Sequence, residues 1–203
     1  MVFGSESKTQ HYITLRKLLL SQMSPSARHG CNRQALLQLL TAVCHNNNTN
    51  KDDYRSRVIQ DKELLDCLLS DVELRTNEEP VILEREGRTT GALLALIEQL
   101  CLNNDDFLTA MAKDSRLLAK LRKGMHLKLY EMCKRPMVAL LTILIKNTEA
   151  AVGETFRKQM LDVIISVKAQ WPASMIITNQ LARRIVDGAP EEFQVIEKPS
   201  NYP

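Results

Sequence analysis

The sequence is poor in the residues that make turns and in those that make chemistry. Its 203 residues include 7 glycines and 7 prolines, too few for an all-β fold with many tight turns. Aromatic residues are 4% of the chain, so the core must be built from leucine, isoleucine, valine and methionine. The longest apolar run, Met137 to Ile145, is nine residues and is interrupted by Thr142. A membrane span needs about twenty, so no membrane role is expected. Met1 to Gln10 has no apolar signal core.

Reactive motifs are also missing. The five cysteines (Cys31, Cys44, Cys67, Cys101 and Cys133) form no CxxC pair, and their number is odd. That fits neither a disulfide framework nor a zinc site, and it points to a reducing compartment, cytoplasm or nucleus. The four histidines are scattered, with no HExxH and no Cys/His cluster. There is no P-loop and no GxGxxG, and Arg88-Thr89-Thr90-Gly91 reads as a helix start rather than a phosphate cradle. The acid pairs Asp52-Asp53 and Asp105-Asp106 each precede an apolar helical segment, where capping explains them better than acid–base catalysis. No catalytic residue, cofactor or metal is expected, and the chain reads as a non-enzyme.

What the chain does have is helical periodicity. Apolar residues recur at three- and four-residue spacing over 9–23, 32–46, 53–72, from Thr90 to Leu102, from Asp106 to Lys134, and from Phe156 to Val167. Pro136 is expected to break the pattern ahead of the apolar segment Met137 to Ile145. A last helix is expected over Ser174 to Val186. Glu73 to Arg88, which contains Pro80 and Gly87, reads as a polar segment and an ordered loop. The expected organisation is a flexible N-terminus over 1–8, a helical domain over 9–187 and an extended tail over 188–203.

Two stretches repeat. Residues 34–47 read QALLQLLTAVCHNN and residues 91–104 read GALLALIEQLCLNN, identical at seven of 14 positions. After a four-residue insertion, 52–72 aligns with 105–125, identical at six of 21 positions. Leucine-rich helices can always be slid into register, but that does not explain the shared Cys44/Cys101, the Asn-Asn and Asp-Asp pairs, Tyr54/Phe107 and Asp61/Asp114. A weaker third copy begins at Val138. No single unit can bury its own apolar face, so the copies are expected to stack. Asn-Asn is expected to end each apolar helix, because asparagine tolerates the left-handed conformation. Asp is expected to cap the helix that follows.

This pattern resembles the armadillo and HEAT repeat families, armadillo more closely. The resemblance rests on the apolar helix ALLxLL…C and on FLTAMAKDSRLLAKL over 107–121, and it covers about 32–170. Asp61 and Asp114 stand where family members usually carry glycine, and the spacing is irregular, 57 residues and then about 46. The resemblance implies an all-α, short right-handed solenoid of about three units with a concave groove, and no catalytic residues or cofactor. Family members that carry nuclear-import signals use Trp and Asn ladders, and one Trp does not support that ligand class.

Charge singles out one region. Residues 1–112 carry a net −3, residues 136–203 balance, and residues 113–135 hold eight basic and two acidic residues, a net +6. In a continuous helix Lys113, Arg116, Lys120 and Lys123 line one stripe, with Arg122 and Lys128 in the same stretch. It reads either as a solvated outer face or as a docking site for an acidic protein surface or peptide. A nucleic-acid-associated subunit is the alternative, although Tyr130 is the sole aromatic interleaved there. Phe193, Val195 and Ile196 in the tail offer a further apolar contact, or no structure at all. The expected function is a protein–protein interaction scaffold or adaptor, as one folded region of a larger chain or complex.

Overall fold

A computed structural model describes residues 3–23, 32–45, 54–70, 80–124, 130–147 and 150–168. Among them the protein is all-α, with no strand. The helices are α1 (Phe3–Met23), α2 (Asn32–His45), α3 (Tyr54–Gln60), α4 (Lys62–Leu69), α5 (Pro80–Cys101), α6 (Asp105–Lys113), α7 (Ser115–Gly124), α8 (Tyr130–Asn147) and α9 (Ala150–Lys168). None of them is long and apolar enough to cross a membrane.

Local chemistry sets the boundaries. Asn103 adopts φ 54° just past the end of α5, the left-handed conformation expected of the Asn-Asn pair. Asn104 is the cap of α6: its side chain accepts the Phe107 N–H at 2.9 Å. Asp105 and Asp106 then lie in the first turn, where their charge meets the positive end of the helix dipole. The capping role expected of this Asp pair thus belongs to the asparagine before it. Asp52 and Asp53 lie outside the described residues.

Asp61 and Asp114 each form a single-residue break between two short helices. Asp61 Oδ1 accepts the Leu64 N–H at 3.0 Å, and Asp114 Oδ1 accepts the Arg116 N–H at 2.8 Å. A short polar side chain can satisfy the first amides of the second helix of each pair, so the chain turns without glycine. This splits the continuous helices expected over 53–72 and from Asp106 onward.

Two further expectations are corrected. The segment from Pro80 to Arg88 is helical, not a loop, and Val81-Ile82-Leu83 belongs to α5. Proline fits a first helical turn, where its missing N–H costs nothing, so Pro80 opens the helix. Pro136 does not break the chain either, for α8 runs through it. Toward the N-terminus, α1 begins at Phe3, ahead of the expected start at residue 9. The expected helix over 174–186 and the tail over 188–203 lie outside the described residues.

The order is two short helices and then a long one, twice over: α3, α4, α5 and α6, α7, α8. The long helices pack in succession, α2 on α5 and α5 on α8, the latter the most extensive pairing in the molecule. The outer helices follow the same order, α1 on α4 and α4 on α7. Burial repeats with the sequence. Leu37 and Leu94, Leu40 and Ile97, Cys44 and Cys101, Leu64 and Leu117, and Leu68 and Leu121 are all core residues. Leu39 and Leu96 differ: Leu39 is 52% exposed and Leu96 is 0%. α5 lies between α2 and α8, so it is apolar on two sides, while α2 stands at the end of the row.

Candidate functional site

The one large concavity among the described pockets lies along α2 and α5, with a volume of about 640 Å³. α2 lines it with Gln34, Gln38, Thr41 and His45, spaced four, three and four residues apart, which is one helical stripe. The core face of the same helix carries Leu37, Leu40 and Cys44. From α5 come Arg88, Gly91, Ala92, Ala95 and Gln99, so the floor is made of small residues and the ends are polar. His45 Nδ1 lies 3.0 Å from Gln99 Oε1, joining α2 to α5 at one end. At the other end Arg88 pairs with Glu84 one turn away.

The third wall is α8, through Met132. Here α5 and α8 come very close: a Cβ on Gly91 would stand 2.6 Å from the Met132 carbonyl oxygen. Sequence accounts for both partners of this approach. In a helix the Met132 carbonyl takes its hydrogen from residue 136, and Pro136 has none to give. Gly91 alone lets a backbone reach that carbonyl. One turn earlier, Cys133 Sγ donates to the Gly87 carbonyl at 3.3 Å. Reading 88–91 as a helix start hid Gly91 as a mid-helix contact glycine.

The groove offers amide donors and acceptors, one imidazole and one guanidinium over an apolar floor. From Gln34 to His45 the stripe is about 16 Å long at 1.5 Å per residue. That is the length of about five residues of extended chain. Amides along such a groove can pair with a peptide backbone. No group of three or more His, Cys, Asp or Glu able to hold a metal occurs among the described residues. Sequence reading passed over this stripe because polar residues on an amphipathic helix look like a solvated face. The available signal was its straightness: 34, 38, 41, 45.

The basic stretch is arranged differently from the stripe expected of one helix. Asp114 sits between α6 and α7 with an extended backbone (φ −82°, ψ 110°), so Lys113 and Arg116 belong to different helices. Arg116 donates to Asp114 within its own turn and to Asp66 Oδ1 of α4 at 2.7 Å. Lys120, 5% exposed, donates to the Ser70 carbonyl at 2.6 Å and so caps the C-terminus of α4. Lys123 pairs with Glu86 of α5 at 3.3 Å. Three of the six basic candidates therefore tie α7 to its neighbours. Lys113 and Arg122 are exposed. Lys128, Phe193, Val195 and Ile196 lie outside the described residues.

A second polar network joins α1 to the first short pair. The Tyr12 hydroxyl donates to Asp61 Oδ2 at 2.9 Å, and Arg16 donates to Asp61 and to Glu63. Burial opposes ionisation of Asp61, but hydrogen bonds from Arg16, the Leu64 amide and Tyr12 outweigh it and hold the carboxyl below its usual range. At Asp114 the Arg116 guanidinium lowers the carboxyl against the effect of burial.

Comparison of the chain with protein-family models, with curated proteins and with solved structures returns no match.

Proposed function

We propose that the chain is a short right-handed α-solenoid of armadillo type, with about three units, that acts as a non-catalytic scaffold binding a protein partner through an extended segment in the α2–α5 groove. The single observation that carries this reading is the groove itself, about 640 Å³, with a straight stripe of Gln34, Gln38, Thr41 and His45 over a floor of small residues. Clefts with a few convergent polar groups over an apolar floor are the usual form of binding sites. The short-short-long order and the succession α2, α5, α8 support the repeat architecture.

The commitment of Arg116, Lys120 and Lys123 to partners inside the chain favours the groove over the basic stretch. It also weakens the reading as a nucleic-acid-associated subunit, which needs those cations on phosphates. Lys113 and Arg122 remain as the exposed pair for an acidic partner.

Panning a random peptide library on the immobilised full chain tests this. Selected peptides are expected to bind in fluorescence polarisation, to lose binding to an Ala95→Arg variant, and to keep it for a Lys113→Glu/Arg122→Glu variant, each shown folded by circular dichroism. Peptides that bind Ala95→Arg as tightly as wild type, or a library that yields no binder, overturn the groove reading. Loss of binding in the Lys113/Arg122 variant alone moves the site to the basic stretch.

A further inference from the structure

Beneath the groove, on the opposite side of α5, lies a second and much smaller cavity. Arg33 of α2, Glu86, Thr89 and Thr90 of α5, and Lys120 and Lys123 of α7 line it. These are buried groups: Arg33 is 8% exposed, Lys120 and Thr90 5% each. Three cations and one carboxylate leave the described lining at a formal +2.

Helix ends reduce that excess without removing it. Arg33 Nη2 and Nε donate to the Gln22 carbonyl of α1 at 2.6 and 3.2 Å, and Lys120 donates to the Ser70 carbonyl at the end of α4. Each helix C-terminus carries about half a negative charge. Two such ends bring the sum to about +1. Uncompensated charge away from water is costly, so a buried site with this balance calls for an anion.

Size then chooses the anion. The cavity measures about 30 Å³, roughly the liquid volume of one water molecule. That suits a single halide. A tetrahedral oxyanion such as phosphate is too large, and its double charge overshoots the balance. We propose that this cavity binds one small monovalent anion, of chloride size, between Arg33, Lys120 and Lys123. The bonds to Gln22, Ser70 and Glu86 stay in place, and the anion adds a common partner for cations carried by α2 and α7. It thereby fastens α2, α5 and α7 to the C-terminal ends of α1 and α4.

The test is thermal unfolding of the full chain as chloride replaces gluconate at constant ionic strength. Gluconate is too large for the cavity, and constant ionic strength removes general screening. A ligand that binds the folded state alone raises the midpoint with the logarithm of its concentration once above its Kd. The expected result is a midpoint that climbs with chloride and equally with bromide. The climb is expected to vanish in Lys120→Met. If Lys120→Met does not fold, Lys123→Gln serves, with a weakened dependence. Superimposed chloride and gluconate curves overturn the proposal, and so does a chloride dependence unchanged in Lys123→Gln. In bromide-grown crystals the anomalous signal is expected between Arg33 and Lys120, and its appearance elsewhere alone also overturns it.

Discussion

Replacing Gly91 by alanine gives opposite signs for two lines of reasoning. Helix propensity alone favours alanine by about 1 kcal/mol in a helix interior. Packing says otherwise. The new Cβ would stand 2.6 Å from the Met132 carbonyl oxygen, and a relaxed carbon–oxygen contact is about 3.4 Å. α5 and α8 must therefore separate by about 0.8 Å at their crossing. The obstacle is backbone, so no side chain can swing aside. Overpacking of this kind costs about 1–3 kcal/mol, and a backbone clash at the most extensive helix pair belongs at the upper end. The expected net effect of Gly91→Ala is a loss of about 1–2 kcal/mol. Urea unfolding followed by circular dichroism at 222 nm reads it as a lower midpoint at unchanged slope. A variant as stable as wild type, or more so, refutes the close crossing.

Leu39 and Leu96 occupy equivalent places in the two copies, yet Leu96→Ala is expected to cost about 2–5 kcal/mol and Leu39→Ala about 0.5 or less in the same urea assay; equal costs contradict the placement of α2 at the end of the row. Asp61 has its folded-state pKa held down, so its contribution is present above the unfolded-state value of about 4 and is lost as pH falls through the folded one. Acid titration of stability is expected to show wild type losing more below about pH 4 than Asp61→Asn. Burial pushes the Cys101 and Cys133 thiols up to about 12. At pH 8 iodoacetamide is expected to spare both in the folded chain and to label both in urea, as mass spectrometry of digested protein reads directly.

The apolar repeat was legible because it depends on local spacing. Leu37, Leu40 and Cys44 predict the burial of Leu94, Ile97 and Cys101, and the Asn-Asn ending is borne out at Asn103. What escaped depends on which residue stands across from which. Pro80, Gly87 and Gly91 look like loop residues until α8 is placed against α5. Pro136 looks like a break until the Met132 carbonyl it frees is seen facing Gly91. Arg116 and Lys120 look like surface charge until Asp66 and the Ser70 carbonyl, fifty residues earlier, are brought beside them. No periodicity in one helix reports on an acid in another.

The outer ion pairs carry a further consequence for how the helices are ordered. Glu63 and Arg116 occupy the same position of the two copies, two residues after Asp61 and Asp114. Glu63 pairs back to Arg16 of α1, and Arg116 pairs back to Asp66 of α4. The contact is geometrically the same and its polarity is reversed. α4 thus presents an acid to each neighbour, and α1 and α7 each present an arginine to α4. Setting α7 directly against α1 would oppose Arg116 to Arg16. Such exposed pairs add little to stability, on the order of 0–1 kcal/mol each, so their effect is on order: they favour one sequence of neighbours over a slipped one. The same logic bears on function. Reversing Arg116, Lys120 and Lys123 to acids would place carboxylates against Asp66, the Ser70 carbonyl and Glu86, and would disturb the stacking of α7 on α4 and α5 before it disturbed any partner. A charge-reversal experiment on the basic stretch therefore reads partner binding at Lys113 and Arg122, and folding at the other three.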